Sequence, residues 1–122
     1  MKGGEGTDLV LLEHIRDRIS RIHEYTGGDG STFFGSTLVQ DAVVRNLQTI
    51  AESTQRLSET VRATEPEIPW RAVAGFRNVL VHNYFGIDLE AVWSVVEQDL
   101  PSLAAAVERM AAVAADTAGQ PE

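Results

Sequence analysis

The residues with chemistry to offer are concentrated in RNVLVHNYFGID, Arg77 to Asp88. His82 titrates near neutrality, Arg77 holds a permanent charge, Tyr84 carries a modifiable hydroxyl, and Asn78 supplies an amide. On a helical wheel advancing about 100° per residue, with Arg77 at zero, Asn78 falls near 100°, His82 near 140° and Tyr84 near −20°. Two polar pairs, Arg77 with Tyr84 and Asn78 with His82, therefore run along one side of a helix end. Val79, Leu80 and Val73 point toward the opposite sector, where neighbouring helices can cover them. The chemistry this set fits best is metal-free handling of phosphate by Arg and His. Spacing leaves a plainer account open: a His near a helix end can cap carbonyls, and an Arg can simply stack on a Tyr one or two turns away.

Other chemistries lack their residues. The chain has no cysteine, which removes thiolate metal sites, cysteine nucleophiles and disulfides together. His14, His23 and His82 are scattered, with no HExxH spacing, and neither a GxxxxGK[ST] loop nor a serine nucleophile elbow occurs. The expectation is no metal and no cofactor. A formal charge of −8 repels nucleic acid and anionic membranes on average, so any anion site must be local. Nearly all of the basic residues are Arg, whose fork binds phosphate through two bonds. MKGGEGTD lacks the regions of a signal peptide and no apolar run approaches the ~18 residues of a membrane span, so the expected location is the cytoplasm.

The elements that must position the site are read from apolar spacing, which predicts an all-α fold. Leu9, Leu12, Ile15, Ile19 and Ile22 mark a first helix closed by Gly27 and Gly28. GGDGSTFFGS then reads as a loop pinned by Phe33 and Phe34. A second helix starts near Thr37, with Thr37 and Gln40 at capping-box spacing, and its stripe of Val39, Val43, Leu47, Ile50, Leu57 and Val61 runs toward Glu65. TEPEIP is a linker. A third helix runs from Pro69 through Trp70, Val73 and Phe76 into the polar segment and closes at Gly86. Asp88 caps a fourth, striped by Leu89, Val92, Trp93, Val96, Leu100, Leu103, Val107 and Met110. Pro101 kinks or splits it, Asp99 recaps its second half, and it frays near Asp116. The result is a four-to-five-helix up-and-down bundle over residues 8–116, between flexible ends at 1–7 and 117–122.

RNVLVHNY, an Arg, a polar residue, three more, a His, one residue and a Tyr, resembles the signature of the HepT-like toxins of the HEPN superfamily. QDAVVRNLQTIAES, IPWRAVAGFRNVLVHNYFGIDLEAVW and DLPSL resemble that family's successive helices in order, and with EYTGG the likeness covers roughly residues 8 to 113. One departure is Ala51-Glu52, where related sequences often have Gly-Glu, and it bears on close packing or cleft width beside the second helix. The resemblance implies a homodimer with both motifs facing one cleft, acting as a metal-independent ribonuclease. It also implies a partner, a small nucleotidyltransferase antitoxin of the MntA kind. Carried over, Arg77 and His82 take the catalytic positions, Asn78 the supporting polar position, and Tyr84 the position that the antitoxin adenylylates. Two other functions stay open: a non-catalytic module that is mainly the partner and substrate of the nucleotidyltransferase, which needs Tyr84 but not His82, and an inert nucleotide-binding or scaffolding dimer.

Overall fold

A computed structural model describes residues 3–77 and 88–119, and among them no strand occurs. The elements are α1 (Gly3–Thr26), α2 (Gly30–Phe34), α3 (Thr37–Arg56), α4 (Glu59–Ala63), α5 (Trp70–Ala74), α6 (Leu89–Ser94), a π-helical segment (Val95–Asp99) and α7 (Leu100–Gly119). This is the expected all-α bundle. α1 packs on both α3 and α7. Asp8 of α1 meets Ser58 just past α3, and Arg18 meets Asn46 within it, so α1 and α3 run antiparallel. The expected stripes supply the core: Leu12, Ile15, Leu47, Ile50 and Val43 have no exposed surface, and Ile22, Leu103 and Val107 expose 1% each. Burying each of the larger aliphatic side chains is worth about 1.5–3 kcal/mol. Alanine adds to this on α7, where Ala106, Ala111 and Ala114 face inward and let the helices approach closely.

α1 ends where expected. Gly27 and Gly28 have φ of +62° and +73°, left-handed geometry that suits glycine, and the Gly27 N–H closes the helix on the His23 carbonyl at 2.7 Å. The following loop is more ordered than its composition suggests. Asp29 accepts from the Ser31 N–H and caps the short α2, which buries Phe33 fully and leaves Phe34 at 44% exposure, so only one of the two phenylalanines serves as the pin. The cap of α3 is Ser36, one residue before the expected Thr37; its Oγ accepts from the Val39 N–H at 3.2 Å. Gln40 does not complete a capping box. Its amide donates instead to the Phe33 and Phe34 carbonyls, at 3.0 and 3.2 Å, and ties α3 to the end of α2.

The expected second helix is two helices. α3 stops at Arg56, Leu57 and Ser58 are extended, and Ser58 caps α4 by accepting from the Val61 N–H at 3.1 Å. The buried Asp8 carboxylate fixes this break, accepting from the Ser58 N–H at 2.9 Å and from its hydroxyl at 2.6 Å. Leu57 and Val61 both stay in the core, so the apolar stripe passes through the break without a gap. In the linker, the Trp70 indole N–H donates to the carbonyls of Arg62 and Glu65, both at 3.1 Å. Arg109 of α7 forks onto the Glu65 carboxylate at 2.7 and 3.0 Å.

At Pro101 the chain stays helical. The disturbance is the π segment just before it, where the Leu100 N–H reaches back five residues to the Val95 carbonyl. The wider turn accommodates a residue that lacks an N–H and whose ring crowds the preceding turn. Asp99 is not a new cap, because the helix never breaks there. α7 then continues to Gly119, beyond the expected fraying point at Asp116.

Candidate functional site

The polar segment is approached through α5. Pro69 is the residue before that helix rather than its first member, and Gly75 ends it after Ala74, its N–H donating to the Arg71 and Val73 carbonyls. A β-carbon at Gly75 would lie 3.2 Å from the Ala72 carbonyl oxygen. Helical conformation resumes at Phe76 and Arg77. The third helix therefore does not run unbroken from Trp70 into the motif: it is interrupted one residue before Phe76.

Phe76 anchors the entry to the motif. It is 4% exposed, and with Val73, Gln98, Asp99 and Leu103 it lines a small cavity of about 120 Å³, so this approach faces the π segment and the start of α7 across that cavity. Arg77, the next residue, is exposed, and its guanidinium makes no ion pair or hydrogen bond with another described side chain. On the far side of the segment, Asp88 caps α6 as expected, accepting from the Ala91 N–H at 3.1 Å, while its carbonyl accepts from the Val92 N–H at 3.0 Å. Asn78, His82 and Tyr84 lie outside the described residues, as do Val79, Leu80 and Gly86. Of the four sequence-derived site residues, the structure therefore places Arg77 alone, between a core anchor before it and a helix cap after it.

A family model of HepT-like ribonucleases matches residues 15–110. The chain belongs to that family. Within it, the chain is 36% identical over 100 residues to a probable ribonuclease HepT of Thermococcus cleftensis, covering 81% of this chain and 91% of that protein. It is 35% identical over 100 residues to a Methanocaldococcus jannaschii protein named a putative RNase, covering 81% of this chain and 92% of the relative. A second protein of that organism, named a gamma-glutamylcyclotransferase and putative RNase, is 39% identical over 95 residues, which are 77% of this chain but 43% of that longer protein. No solved structure matches this HepT-like chain.

The HepT-like match spans the helices on both sides of the polar segment. Among the described residues, no group of three or more His, Cys, Asp or Glu side chains is placed to hold a metal ion, and no helix is long and apolar enough to cross a membrane. Ala51, the position that departs from Gly-Glu, is fully buried, so its methyl group is accommodated within the core. Sequence reasoning did not anticipate three features of the site's surroundings: the stop at Gly75, the clamp of Asp8 on Ser58, and the π segment that shares a cavity with Phe76. Only the last had a signal, Pro101 following an uninterrupted apolar stripe.

Proposed function

We propose that this protein is the ribonuclease toxin of a toxin–antitoxin pair, cutting RNA without a metal at a cleft shared by two copies of the chain. The observation that carries this reading is the family match across residues 15–110, which contains RNVLVHNY, together with the exposure of Arg77 one step beyond an anchored Phe76. RNA can be cut by its own 2′-hydroxyl if that group is deprotonated, the crowded phosphate is stabilised and the departing 5′-oxygen is protonated. Those tasks need a base, a cation and an acid. One chain offers a single motif histidine, whereas a two-fold dimer brings two copies of the same patch to its axis. The two His82 side chains then divide the acid and base roles, the Arg77 pair holds the phosphate, and Asn78 supports them. The product carries a 2′,3′-cyclic phosphate. Tyr84 is the point at which the nucleotidyltransferase antitoxin attaches adenylate and silences the enzyme.

The test is incubation of purified protein with single-stranded RNA in chelator. Wild type should cut, leaving cyclic phosphate ends, and His82→Ala should be slower by about 10²–10⁴-fold, the usual contribution of general acid–base catalysis. Equal cleavage by a folded His82→Ala protein would sink the reading and leave the chain as a module that the nucleotidyltransferase binds and modifies.

A further inference from the structure

The π segment has a second side. Away from the cavity it shares with Phe76, it borders an open cleft of about 490 Å³, between the last turns of α1 and the junction of α6 with α7. Ile19, Ile22, Leu100 and Ala104 give it an apolar floor. Trp93 forms a wall and is held firmly. Phe33 stacks on the indole with ring centres 5.3 Å apart and planes inclined at 24°, Phe34 meets it edge-on at 6.4 Å, and a β-carbon at Gly30 would lie 3.1 Å from its Nε1. Polar side chains stand at the rim: Ser20, Glu97, presented by the π segment, and His23, whose ring lies 3.5 Å from where a β-carbon at Gly28 would sit. Glu97 makes no ion pair or hydrogen bond with another described residue.

The volume lies within the ~300–1,000 Å³ usual for small-molecule sites, and an apolar floor with few polar groups is their usual lining. The lining also restricts the ligand. An aromatic wall buttressed by two further rings favours a flat ring against it. A carboxylate at the rim, on a chain of charge −8, disfavours an anion and offers two acceptor oxygens side by side. An apolar floor disfavours a strongly hydrated cation. A flat, uncharged ring with two neighbouring N–H donors satisfies all three conditions, and guanine has that edge in its N1–H and 2-amino group.

We propose that this cleft is a guanine-base site, with the ring against Trp93, its paired donors on Glu97, and His23 available at the mouth to the base carbonyl or the sugar. No bond is made or broken there. The base could belong to a free nucleoside or to an RNA strand, and the acidic rim requires any attached phosphate to point outward.

Calorimetric titration of the full chain tests this without reference to cleavage, so its failure and that of the ribonuclease reading are distinguishable. Guanosine should bind saturably. Inosine, which lacks the 2-amino group, should bind about 10-fold more weakly or worse, and adenosine should not bind measurably, since a hydrogen bond to a charged group is worth roughly 10–100-fold in affinity. Glu97→Gln, at an exposed position, should weaken guanosine by a similar factor, and Ala104→Phe should fill the floor and abolish binding. The 2′-deoxy trinucleotide TGT, which offers no 2′-hydroxyl for cleavage, separates the two sources: tighter binding than guanosine assigns the site to a strand, weaker binding to a free nucleoside. No saturable guanosine binding in the millimolar range, equal binding of adenosine, or unchanged binding to folded Glu97→Gln overturns the proposal.

Discussion

At Arg77 the chain passes from core to solvent in one step, because the preceding Phe76 is 4% exposed and faces the π segment across a small cavity. A guanidinium next to a buried residue is placed at the surface, where its planar fork can meet a phosphate. Arg77→Ala should therefore slow RNA cleavage by about 10²–10³-fold, the usual cost of removing one donor to developing charge. Arg77→Lys should recover little of that, because an ammonium acts as a point charge where two parallel bonds are needed. Rate constants at saturating RNA decide the point, and full recovery by Lys would reduce the role of Arg77 to charge alone. Tyr84→Phe keeps the ring and removes the acceptor oxygen. It should retain cleavage yet resist inactivation by the nucleotidyltransferase with ATP, while the intact mass of wild type rises by adenylate units. If the Phe variant is modified and silenced like wild type, the acceptor is elsewhere, and Tyr25, 38% exposed near the end of α1, is the next residue to change.

At the scale of elements, the apolar stripes were legible because burial selects one face of a helix whatever happens at its ends. The same stripes hid the breaks. Leu57 and Val61 lie four apart and both face the core, so nothing in their spacing reveals that Ser58 between them starts a new helix under the Asp8 carboxylate. Gly75 was unreadable for a similar reason: Val73 and Phe76 both stay buried, so the interruption leaves no gap in the pattern. The site was legible as a motif, in residue types and order, while the placing of Phe76 beside a cavity shared with the distant Gln98 and Asp99 was not. Linker and last helix are joined by a titratable contact. The Arg109 fork holds the Glu65 carboxyl below its ordinary range, chiefly by hydrogen bonding. A lowered carboxylate pKa gives stability that is full above the unfolded-state value of about 4.3 and is lost as pH falls through the lower folded-state value. Glu65→Gln should thus be less stable than wild type to urea at pH 7, with the gap closing below about pH 4. A gap that stays constant down to pH 3 would mean the pair contributes nothing through its charge.

For the whole molecule, the cleft proposed to be shared by two copies can be tested through assembly. Adding excess His82→Ala chains to wild type should pull cleavage down toward that of the variant, since a mixed dimer holds one motif histidine where the acid and base roles need two. Wild-type chains that keep their full activity after verified subunit exchange, or an active monomer in sedimentation, would rule out a composite site. The π segment also affects the molecule as a whole, through counting. In an unbroken α-helix, Val92 and Leu103, eleven positions apart, would point within about 20° of each other. The wider turn shifts that phase by roughly the 100° of one residue. One nearly continuous rod thus shows α2 one face through α6 and α1 another through α7. Deleting a single residue, such as the exposed Gln98, would straighten the rod and still unmake the fold: with Leu103 in place, Trp93 would swing away from Phe33. For this chain a helix with perfect periodicity would be the wrong shape.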